Sequence, residues 1–143
     1  MKYLVLSCIC LLSLDRVYAQ PSVSAKQRLQ EEKREFFNNH INLTRSEANA
    51  FWPVYDDYQN RKNRIVAEKK TLMNYYLENK NNMKEQEITE ALEKYIALEQ
   101  QETDLFISYN QKFRSILPDE KVLRIYVAEV QFRDYLLKQL RTE

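Results

Sequence analysis

Few residues of this chain have the type and spacing for bond-making chemistry. His40 is the single histidine. A metal site needs further nitrogen or thiolate donors at matched spacing, so His40 reads as a solvated loop residue beside Asn39. Serine-based catalysis needs an activating base, and His40 is all that is on offer. Asp56–Asp57 and Glu31–Glu32 imitate the paired carboxylates of acid–base machinery. Adjacent positions on a helix diverge, however, and such pairs read as solvated charge. Asn42-Leu43-Thr44 matches a glycosylation sequon, which has meaning in a eukaryotic secretory pathway. No catalytic, cofactor-binding or metal residue is assigned, and an enzyme is not expected.

What remains is contact chemistry. Phe51, Trp52, Tyr55 and Tyr58 crowd the start of one helix, with Arg61 and Arg64 following on the next turns. A thin helical domain has little volume in which to bury so many large rings without a partner or an exposed apolar face. Tyrosine suits a half-wet surface because its ring is apolar and its hydroxyl polar. These six residues are the candidate surface for a client or partner, and Trp52 and Tyr58 are expected to stand partly exposed.

The elements that must position them are helices. Thr44 followed by Glu47 forms a capping box, each side chain taking an orphan amide at a helix start, with Leu43 just before it. The spacing predicts an all-α fold of four helices: about 24–38, 44–78, 84–115, and from Pro118 to about Leu140. Leu117 and Pro118 restart the chain, proline being tolerated at a first helical position because its missing N–H costs nothing there. Leu29, Phe36 and the stem of Lys33 form the apolar side of the first helix. Asn38–Asn39 are expected to take the left-handed C-terminal position that glycine usually fills. Asn79-Lys80-Asn81-Asn82 is the clearest turn.

The two central helices carry matching rows at alternate spacings of four and three. On the second these are Phe51, Tyr55, Tyr58, Lys62, Ile65, Lys69, Leu72 and Tyr76. On the third they are Ile88, Leu92, Tyr95, Glu99, Glu102, Phe106, Tyr109, Phe113 and Ile116. This is a coiled-coil-like seam, folded as a long antiparallel hairpin. A turn near Asn81–Asn82 places Lys62 opposite Glu102 and Ile65 opposite Glu99. Pro53 removes a hydrogen bond to the carbonyl of Asn49 and is expected to bend the helix, either cupping the aromatics or redirecting the helix around the domain.

Composition narrows the function further. There is no glycine in 143 residues, which argues against phosphate-cradling loops and tight hairpins. Residues 1–19 read as an export signal: Lys2, an apolar run from Tyr3 to Leu14, and Val17-Tyr18-Ala19 as a cleavage site before Gln20. The apolar run is too short to span a bilayer about 30 Å thick. Val5-Leu6-Ser7-Cys8 also resembles a lipoprotein box, with Cys8 as the lipid acceptor. Cleavage after Ala19 removes Cys8, Cys10, Lys2, Arg16 and Asp15, leaving a single domain over 20–143 without cysteine and with balanced charge. Nucleic-acid binding, which favours a basic excess, is not expected.

The stretch from Leu43 to Tyr58 resembles the Spy/CpxP family of periplasmic proteins, whose members carry a Leu-Thr-x-x-Gln motif twice. The run Phe51-Trp52-Pro53-Val54-Tyr55 is similar to a branch sometimes labelled sensor of ECF-type sigma factor. So, more weakly, is 116–140 with Tyr126, Glu129, Phe132, Leu136 and Leu137. Glu47 replaces the motif's glutamine, and Leu117-Pro118-Asp119-Glu120-Lys121 replaces its second copy. The resemblance implies a periplasmic, cradle-like homodimer that holds unfolded envelope proteins without ATP or cofactor. The alternatives are an envelope-stress adaptor bound to a membrane sensor, and a structural helical protein without clients.

Overall fold

The computed structural model describes residues 24–142; the export signal expected over 1–19 lies outside them. Four helices follow in order: α1 Ala25–Ile41, α2 Arg45–Asn79, α3 Glu85–Ile116 and α4 Asp119–Thr142. The described residues contain no strand. The fold is all-α, with α2 and α3 packed closely as a central hairpin.

Local chemistry sets the boundaries. At the head of α2 the Thr44 hydroxyl accepts from the Glu47 amide at 3.2 Å while the Glu47 carboxylate accepts from the Thr44 amide at 2.7 Å, the capping box its sequence predicts. Ser24 and Gln27 repeat the device on α1. The first helix ends later than expected. Asn42, not Asn38 or Asn39, takes the left-handed conformation at φ 57°. The helix runs on because Phe37 and Ile41 are fully buried, so one more turn adds core contact. Phe36, expected to face inward, is half-buried beside them. Helix α2 continues across Pro53, which is exposed.

The core gathers at one end of the molecule. Phe37 and Ile41 of α1, Phe51, Trp52, Tyr55 and Tyr58 of α2, and Tyr109 and Phe113 of α3 pack there with Leu117 and with Val122, Ile125, Ala128 and Phe132 from α4. Ring pairs tie it together, with Phe51–Phe113 centroids 5.5 Å apart, Tyr58–Tyr109 5.4 Å and Phe37–Tyr55 5.4 Å; such contacts add to simple area burial. From there α2 and α3 continue as a two-helix arm. The roughly twenty residues of α2 beyond Gln59 extend it by about 30 Å. Along the arm the described side chains that are buried are Ile65 and Leu98.

The hairpin register agrees with the charge pattern. Lys62 Nζ lies 3.9 Å from Glu102. Lys69 binds both acidic residues of the facing row, Glu99 at 2.9 Å and Glu102 at 2.5 Å. The expected inner row of α3 needs correction, however. Leu98 is buried and Leu105 half-buried, whereas Ile88, Leu92 and Phe106 are exposed. The seam runs through Ala91, Tyr95, Leu98, Glu102, Leu105 and Tyr109, about one helical position round from the row with Leu92 and Phe106. The carboxylate of Glu99 is taken by Lys69, while Ile65 is buried.

Candidate binding surfaces

The six residues proposed as a contact surface do not form one. Phe51 is fully buried, and Trp52, Tyr55 and Tyr58 keep 8%, 2% and 4% of their surface. The expectation that Trp52 and Tyr58 stand partly exposed is overturned. The missing volume comes from α1 and α4, which close over α2 and let its aromatic row become the core. Arg61 and Arg64 are exposed, but they line a hollow of about 540 Å³ with Glu68, Gln101 and Asp104. Arg61 is also bound to Asp57 at 3.2 Å. The Asp57 carboxyl, which accepts from the Tyr109 hydroxyl and from Arg61, is held below the usual carboxylate range. Thr44 and Glu47 cap α2 as expected, whereas α4 begins at Asp119, one residue after Pro118. Glu47 additionally accepts from Lys121 Nζ at 2.6 Å, joining the head of α2 to α4.

Two other surfaces take their place. The first is a face of the arm. Gln59 donates to Glu129 of α4 at 2.8 Å, and Phe106 meets Tyr126 of α4 at 5.3 Å, so α4 lies on the side marked by Gln59 and Phe106. A seven-residue step returns a helical side chain to nearly the same face. From Gln59 this leads to Val66 and Met73, with Leu77 a turn further. From Phe106 it leads through Glu99 to Leu92, flanked by Ile88 and Ile96. All six are exposed, Leu77 at 61%, Leu92 at 59% and Ile96 at 58%. The arm thus presents an apolar face on the side that carries α4 at its base, interrupted by the Lys69–Glu99 pair.

The second is a groove of about 580 Å³ between α1, α2 and the C-terminal half of α4. Leu29, Leu136, Leu137 and Leu140 form its walls and Trp52 and Tyr55 part of its floor. At its inner end the Glu129 carboxylate accepts from the Tyr55 hydroxyl and the Gln59 amide, each at 2.8 Å. Burial, reinforced by Glu129, pushes the Tyr55 hydroxyl far above its ordinary range. Burial likewise pushes Tyr58 up to about 12. Both are hydroxyl groups and not phenolates at ordinary pH. Lys33 sits over the rings of Tyr55 and Phe37, its ammonium 5.0 and 5.1 Å from their centroids, a cation–π arrangement. Burial lowers its pKa against the pull of Glu129, and nearby Lys62 lowers it further.

Sequence reasoning missed this groove. Its signal was the i,i+4 placement of Lys33 and Phe37 together with the row Phe132, Leu136, Leu140 on α4. Among the described residues no group of three His, Cys, Asp or Glu stands close enough to hold a metal ion, and no helix is long and apolar enough to cross a membrane. Compared with known proteins, the chain matches no family model, no curated protein and no solved structure.

Proposed function

We propose that the protein is an ATP-independent holdase that binds apolar segments of unfolded proteins, as its resemblance to the Spy/CpxP family implies. The observation that supports this is the apolar face of the arm. Leu77, Leu92 and Ile96 each leave more than half of their surface in water, and clusters of exposed apolar side chains mark contact sites. Export to a periplasm, unfolded envelope proteins as clients and a homodimer belong to the same proposal. The contact surface moves from Trp52, Tyr55 and Tyr58 to the arm.

The test is aggregation of a chemically unfolded client, followed by light scattering, with and without the purified protein and with no nucleotide present. Wild type should slow aggregation. The double variant Leu92→Ser, Ile96→Ser should slow it far less while its thermal unfolding stays near wild type, since exposed substitutions usually shift stability by no more than about 0.5 kcal/mol. A wild-type protein that never slows aggregation, even in excess over client, removes the holdase. Capture of one membrane protein in place of many clients would then favour the stress-signalling adaptor.

A further inference from the structure

The groove between α1, α2 and α4 continues into a second hollow of about 430 Å³ that shares Lys33, Gln59, Glu129 and Arg133 with it and adds Lys62, Phe106 and Val130. The two ends differ in chemistry. The outer end is walled by leucines, and Leu140 at the rim is 72% exposed. Around the inner end stand three cations, Lys33, Lys62 and Arg133, with the carboxylate of Glu129. Asp56, paired with Arg34, also acts on Lys33 from the groove side, so the lining holds four cations against two carboxylates. The Glu129 carboxylate is already engaged by Tyr55 and Gln59. Lys62 reaches Glu102 at 3.9 Å and Arg133 its neighbour Asp134 at 4.0 Å. The Lys33 ammonium, resting on two aromatic rings, makes no ion pair within 4.0 Å among the described residues.

We infer that this groove holds a long-chain alkyl carboxylate, its chain along Leu29, Leu136, Leu137 and Leu140 and its head among Lys33, Lys62 and Arg133. Charge complementarity decides the head: an excess of cations at a half-buried site favours an anion. The walls decide the tail. A peptide would bring backbone amides and carbonyls that need partners. Of the polar groups that line the groove, Tyr55, Gln59 and Glu129 are committed to one another and Arg34 to Asp56. That leaves the amides of Gln30 and Asn63 for a chain whose backbone would need many partners; an alkyl chain asks for none. An arriving anion favours the charged form of Lys33 and so offsets the desolvation that lowers its pKa. This site lies apart from the arm face and does not depend on the holdase proposal.

Trp52 is the single tryptophan of the chain and lines the groove, so its fluorescence reports occupancy. Laurate, titrated into the purified protein below its micelle threshold, should produce a saturable one-to-one change with helicity by circular dichroism unaltered. Lauryl alcohol should bind about tenfold more weakly, the value of one charge-assisted contact. Lys33→Gln should weaken laurate about tenfold and leave the alcohol unchanged, while Lys33→Arg keeps laurate binding. Leu137→Glu, at an exposed wall position, should weaken both. Three results would each overturn the inference. One is the absence of saturable binding, another equal affinity for laurate and the alcohol. The third is tighter binding of a short apolar peptide with a free C-terminal carboxylate than of laurate.

Discussion

Glu47 performs two tasks with one carboxylate, closing the capping box on the Thr44 amide and receiving Lys121 from α4. The Lys121 bond first, and then the Thr44 amide, hold its pKa at about 2, down from the 4.5 of a free glutamate. A carboxyl depressed on folding contributes stability that is complete above its unfolded pKa and fades as pH falls through the folded one. Thermal unfolding by circular dichroism should therefore drop between pH 4.5 and pH 2, and Glu47→Gln should flatten that part of the profile. Trp52 and Tyr58 make a different prediction at the same scale. Each is packed among rings of α1, α2 or α3, so replacement by serine should cost about 3–5 kcal/mol, as large-to-small core changes do. Chemical denaturation measures it; a loss under about 1 kcal/mol would mean these rings do not carry the core. The aromatic cluster was legible from the sequence, but its burial was not, because a row of rings at helical spacing looks the same whether water or another helix faces it.

Among the elements, the hairpin shows most clearly what can be read ahead of a structure. The turn after Asn79, the cap at Thr44 and the pairing of Lys62 with Glu102 all depend on short-range chemistry or on charge order along the chain, and they appear where expected. The inner face of α3 depends on something else. Ile88, Leu92, Phe106 and Ala91, Leu98, Leu105 form two neighbouring rows with the same four-three rhythm, and only the position of α2 selects between them. Lys69 bridges the seam, reaching Glu99 and Glu102 together, and their bonds raise its pKa. Lys69→Glu would place three carboxylates in that part of the seam, where like charges repel. It should lower the thermal midpoint, and adding Glu102→Lys should recover most of the loss. A swap that recovers nothing would mean the pairing contributes little and that Ile65 and Leu98 alone hold the register.

For the whole molecule, the consequence is a gradient of stability along one axis. Four helices share a closed aromatic core at the base, whereas the arm beyond it has Ile65 and Leu98 as its buried side chains and bridges its seam with ion pairs. Exposed pairs are worth about 0–1 kcal/mol each, and helices of this kind draw most of their stability from tertiary packing. Local opening should then cost least near the turn at Asn79–Met83 and most around Phe51, Phe113 and Ile125. Hydrogen exchange followed by mass spectrometry tests this directly. Amides of 66–77 and 88–97 should exchange well before those of 51–58 and 109–113 at neutral pH. Uniform protection out to the tip would contradict the gradient and require packing on the arm that the isolated chain does not show. The same experiment with an unfolded client present links the gradient to function. A holdase that uses the apolar face should gain protection around Leu77, Leu92 and Ile96, because a covered arm opens less often. Protection confined to the base would place contact elsewhere and withdraw the arm as the working surface.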